Sequence, residues 1–179
     1  MGLDVDDPRR DDGFRRWVGA LAQGEPFDWD PDSEEPEFLE WITSVYAGNG
    51  AMPVEWINPL VYAHRVELAG RALRSITRQA ETDLGPLPGL ELVTTPPDDQ
   101  EPTGVVRAGG YGGRITGMSF AEVAVMVADN VQDWIGHDRN RIWPVCPEHG
   151  RGLHPVSEGG VPFWLCEAGR HVVSSIIQD

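Results

Sequence analysis

Apolar residues recur at three- and four-residue steps in four stretches of the chain, and each stretch predicts an amphipathic helix. Phe14, Trp17, Val18 and Leu21 mark the first, over Phe14 to Gln23, with Gly24 as its stop. The second starts near Ser33 and carries Phe38, Trp41, Ile42, Val45 and Tyr46 on one face. Ser33 is placed to cap it, Glu34, Glu35 and Glu37 favour its positive end, and Pro36 suits its first turn. The third and longest spans Val54 to Thr82, with its regular part starting near Pro59. Ile57, Leu60, Val61, His64, Leu68, Ala72 and Ile76 form its apolar stripe, which makes His64 a core histidine. Arg65, Arg71, Arg74 and Arg78 are assigned to the other faces, solvated and paired with acids. The fourth opens on a capping box, Ser119 and Glu122, and runs through Phe120, Val123, Ala124, Val127, Val131 and Trp134 to Gly136. His137 follows as a C-terminal cap group.

Between these helices the pattern breaks. Residues 83 to 104 are rich in proline and glycine, which excludes helix and marks a connection. Leu90 to Thr95 and Val105 to Ala108 read as two strands joined by its proline-rich part. Gly109 to Gly117, GGYGGRITG, lacks the spacing of a phosphate-binding loop and reads as a flexible loop or tight hairpin. Near the C-terminus the pattern shortens to strands. Leu153 to Val156 and Val161 to Leu165 flank a turn at Ser157 to Gly160, and Val172 to Ile177 is a third β-prone run. The expected fold class is α+β. Residues 1–13 form an acidic tail, 14–140 a mainly helical domain with a small sheet, and 141–179 a β-rich module.

That last module concentrates the chemistry. It holds both cysteines, Cys146 and Cys166, and His149, His154 and His171. Cys146 and His149 stand in C-x2-H spacing, Cys166 and His171 in C-x4-H. Thiolate and imidazole are the donors that a tetrahedral zinc site prefers, and two short pairs on two turns can close one. Pro147 and Gly150 supply the backbone that a tight first turn needs. His154 is an alternative fourth ligand. A Cys146–Cys166 disulfide, or two free buried thiols, are the readings without metal.

Turn, hairpin, turn and strand in this order resemble zinc ribbons of the CPxCG…L…WxC type. His149 stands where the second cysteine of the first knuckle would be, and His171 lies two residues from the usual position in the second. The stretch is similar to the C-terminal ribbon, CPxH…WxC, of small actinobacterial proteins, a family from which no activity transfers. The resemblance implies a structural zinc held by Cys146, His149, Cys166 and His171.

Composition narrows the function classes. The net charge is −15, and 21 of the 29 acids fall within residues 1–101. Nucleic acid is therefore disfavoured as a partner, because phosphate binding needs clustered Lys and Arg. No apolar run approaches membrane-spanning length. The N-terminus carries no apolar leader, so a cytoplasmic location is expected. Neither H-E-x-x-H nor a nucleophile-elbow pattern occurs. The expected function is that of a non-enzymatic protein that binds another protein. A small zinc- or His64-dependent hydrolase, and an acidic inhibitor that masks a basic partner, are the alternatives.

Overall fold

The computed structural model describes residues 10–23 and 35–177. Its elements in chain order are α1 (Asp12–Gln23), α2 (Pro36–Asn49), α3 (Val54–Leu84), β1 (Leu92–Thr95), β2 (Val105–Ala108), α4 (Phe120–Arg139), β3 (His154–Glu158), β4 (Val161–Cys166) and β5 (His171–Ser175). The fold is α+β, with two separate antiparallel sheets, β1–β2 and β3–β4–β5.

Burial follows the helical stripes. Phe14, Trp17, Val18 and Leu21 of α1 and Phe38, Ile42 and Val45 of α2 close one core with Ile57 and Val61 of α3. Phe14 and Trp17 pack on Tyr46 with ring centroids 5.2 and 5.3 Å away, and the Trp17 indole donates to the Met52 carbonyl. Helix α1 begins at Asp12, inside the expected tail, because the Asp11 carboxylate accepts from the Gly13 and Phe14 amides. For α2 the N-cap is Glu35, which makes no side-chain cap, and Pro36 opens the helix. Ser33, the expected cap, lies outside the described residues.

Helix α3 is regular from Val54, and Pro59 is carried inside it. Its stripe is rotated from the expected one. Leu60 is exposed, while Arg65 is 4% exposed and sits in line with Val61 and Leu68. The step 57–61–65–68–72–76 has helical spacing throughout, so Arg65 enters the protein with its apolar neighbours. Its guanidinium donates to the Thr103 hydroxyl at 3.2 Å and the Thr116 carbonyl at 2.6 Å, which fastens α3 to the segments on either side of β2. The expectation of a solvated Arg65 is thereby corrected. Arg71 lies over the Phe120 ring at 4.4 Å.

The second core joins the C-terminal half of α3, α4, β2 and the C-terminal sheet in one continuous cluster. Ile76, Val106, Val123, Val127, Val131, Trp164 and Ile176 are all within 2% of full burial. Burial of each aliphatic side chain contributes about 1.5–3 kcal/mol. The glycine-rich 109–117 loop is neither a free loop nor a hairpin. A Cβ on Gly112 would sit 2.1 Å from Asn130 Oδ1, and one on Gly109 would sit 2.7 Å from the Trp134 ring. These glycines let the loop lie directly on α4, where Asn130 donates to the Gly113 carbonyl. Helix α4 keeps the Ser119–Glu122 capping box and continues through Gly136 to Arg139, where Asn140 takes the left-handed conformation. His137 is therefore no cap. It stacks on Tyr111 with centroids 3.8 Å apart.

Two glutamines tie the C-terminal sheet to the helices. Gln132 of α4 donates to the carbonyls of Trp143 and Leu153, and Gln79 of α3 donates to that of Ile176. Trp143 and Trp164 meet edge to face at 5.5 Å, and the Trp143 indole donates to Asp83 near the end of α3. The module at 141–177 thus packs as part of the second core.

Candidate metal centre

The site is made by two turns at one end of the β3–β4–β5 sheet. The first turn is residues 146–150. The Cys146 amide donates to the Arg151 carbonyl, and the Gly150 amide donates back to the Cys146 carbonyl. Closing that ring requires a positive φ at Gly150, and the value is +62°. The amides of Glu148 and His149 point at the Cys146 sulfur. The second turn joins β4 to β5. Cys166 and His171 are paired residues across these strands, and Arg170 takes a positive φ of 50°.

The turns bring together four of the five C-terminal donor residues. One donor atom from each of Cys146, His149, Cys166 and His171 lies within 4.8 Å of the others. Cys146 Sγ is 3.4 Å from His149 Nδ1 and 3.8 Å from His171 Nε2, and Cys166 Sγ is 3.6 Å from His149 Nδ1. Metal–sulfur bonds of about 2.3 Å and metal–nitrogen bonds of about 2.0–2.1 Å at a tetrahedral angle set S···N edges of roughly 3.6 Å. The observed distances bracket that value. Both cysteines are free and fully buried, while His149 faces solvent and His171 is half-buried.

Electrostatics prepares the site for a cation. Burial alone pushes the Cys146 thiol up. Hydrogen bonds from the His149 ring, from the amides of His149 and Glu148, and from Cys166 outweigh it and bring Cys146 down to about 6. A dication would balance two thiolates and leave the centre neutral, so the donor set fits such an ion. Four donors are the number that a closed tetrahedral site uses, whereas a catalytic zinc is held by three and keeps one position for water.

His154 stays outside this group. Leu153 is buried beneath the sheet, and the alternation of side chains turns His154 outward. There its Nε2 lies 3.7 Å from a Glu167 carboxylate oxygen. His64 is a part-buried core histidine, stacked on Trp41 at 4.8 Å and hydrogen-bonded to the Met118 carbonyl at 3.1 Å. Burial lowers its pKa, and the Met118 bond works against that shift.

One residue of the site carried no signal in the donor pattern. A Cβ on Gly169 would lie 2.5 Å from His171 Nδ1 and 2.6 Å from His149 Cε1. Gly169 is the floor on which both imidazoles rest. A glycine two residues before a candidate ligand histidine is the only trace of this in the sequence.

Comparison with protein-family models, with curated proteins and with solved structures yields no match to this chain. No helix among the described residues is long and apolar enough to cross a membrane.

Proposed function

We propose that the Cys146–His149–Cys166–His171 centre holds a structural zinc of the ribbon type, in a non-enzymatic protein whose function is to bind another protein. The observation that carries this reading is the closed donor set. Four candidate donors converge from two turns and both cysteines are buried, and a tetrahedral ion that took all four would have no position left for a substrate. Zinc is favoured over harder or more oxidisable ions by the mixed thiolate and imidazole set. With chemistry removed from the metal, the acidic surface, at a net charge of −15, becomes the feature through which the protein acts.

Elemental analysis of protein purified without chelator tests the metal. About one equivalent of zinc is expected, and less than about 0.2 equivalents overturns the assignment. Chelation should also change the fluorescence of Trp143 and Trp164, which pack together in the same module. The zinc-loaded protein should hydrolyse phosphate esters, carboxylate esters and peptides no faster than buffer. Turnover that a chelator abolishes would replace this reading with a hydrolase.

A further inference from the structure

The two histidines reach the donor group with different nitrogens. His149 presents Nδ1, 3.4 Å from Cys146 Sγ and 3.6 Å from Cys166 Sγ, whereas His171 presents Nε2, 3.8 Å from Cys146 Sγ. Nδ1 is bonded to the carbon that attaches the ring, and Nε2 lies on the ring's far side, so His149 is a short arm and His171 a long one. The local backbone accounts for both. The amides of Glu148 and His149 point at Cys146 Sγ, so the first turn wraps that sulfur and carries the His149 ring close to it. His171 begins β5 directly opposite Cys166. Opposed residues in an antiparallel pair keep their Cβ atoms about 4.5–5.5 Å apart, and the long arm spans that gap.

The two turns also differ in spacing. His149 is three residues after Cys146, and the same step from Cys166 lands on Gly169, which has no side chain to offer. The Cα–Cβ direction at 169 is nevertheless aimed at the donors. A Cβ there would lie 2.5 Å from His171 Nδ1, 2.8 Å from His171 Cε1 and 2.6 Å from His149 Cε1. All three are ring atoms of the donor histidines. The backbone gives no other reason for glycine, because the positive φ in this turn, 50°, belongs to Arg170. The space that a side chain at 169 would take is filled by the His171 ring, which arrives from two residues further on.

We propose that residue 169 determines which side chain completes the metal centre: glycine admits the long arm of His171, and a thiol at 169 takes over as fourth ligand once that ring is removed. This rests on the metal reading above and names the residue that sets the identity of its fourth ligand. Gly169 touches the ligand rings and not the ion, so it is a positioning residue. The same geometry explains how a C-x4-H pair closes a site opposite a C-x2-H pair: the far nitrogen of His171 makes up for its displacement along the chain.

Zinc and cobalt(II) are the probes, titrated into the full chain. In the His171→Ala background, adding Gly169→Cys should raise zinc affinity roughly 10²-fold, the effect of regaining one ligand. The cobalt(II) complex of that double variant should absorb more strongly than the parent's in the sulfur-to-metal charge-transfer region, the mark of a third thiolate. Gly169→Ser/His171→Ala carries a side chain of similar size without the thiol and should stay at the level of His171→Ala. Long-range proton–nitrogen NMR on the zinc-loaded parent needs no substitution, and it should place the metal on Nδ1 of His149 and on Nε2 of His171. Equal affinities for the cysteine and serine variants, or the same nitrogen bound in both rings, overturns the proposal while the parent's zinc leaves the metal reading standing. A parent chain that binds neither ion fails the metal reading, and the proposal falls with it.

Discussion

Gly169→Ala isolates the geometry of the metal centre from its chemistry, because it alters no ligand. Gly169 has no positive φ, so alanine fits its backbone. The new Cβ would nevertheless stand 2.5 Å from His171 Nδ1, 2.8 Å from His171 Cε1 and 2.6 Å from His149 Cε1. Ordinary contact begins near 3.4 Å, so both rings must retreat by nearly an ångström. A metal site tolerates about 0.2 Å in its bond lengths. Structural zinc contributes about 10–16 kcal/mol, or about 2.5–4 kcal/mol per ligand if four share it evenly. Losing one imidazole's share weakens binding roughly 10²- to 10³-fold. Competition against a chromophoric chelator measures this directly. Gly150→Ala is the counterpart: it meets no atom within 4 Å but must hold a φ of +62°. It should cost about 1–2 kcal/mol of stability and keep its zinc once folded. Zinc affinity in Gly169→Ala within about threefold of the parent would refute the steric reasoning.

Three further outcomes are expected. His171→Ala should lose zinc while His154→Ala keeps it, and elemental analysis showing the reverse pattern would move the fourth ligand to His154. Cys146 titrates at about 6 when folded against an ordinary 9.0, so its depressed value adds stability to metal-free protein that is fully present above about pH 9 and is lost as pH falls through 6. Thermal unfolding of metal-free protein should therefore shift upward between pH 6 and 9, and a Cys146→Ser variant with the same slope would exclude that thiol as the source. Ser119→Ala removes the acceptor for the Glu122 amide at the start of α4 and should cost about 1 kcal/mol, read by urea denaturation; an unchanged midpoint would mean that the cap contributes nothing.

Helices and strands were legible because their signals are local. The stripe of α4, its capping box and the span of β2 depend on residues a few positions apart, and each stands in the sequence as it stands in the fold. The donor residues were legible for the same reason, since each pair sits on a single turn. What the sequence determined by itself is therefore the set of elements, the α+β class and the list of candidate ligands. Tertiary structure decided what depends on neighbours distant along the chain. Arg65 is buried because the loops carrying Thr103 and Thr116 fold over it, while Leu60, equally plausible on the stripe, is left outside. His171 joins the donors and His154 does not, because pairing β3 and β5 on either side of β4 fixes which face each side chain takes. Gly112 and Gly169 became informative only when the atoms a Cβ would meet were in place. A glycine records a close approach, but not what approaches it.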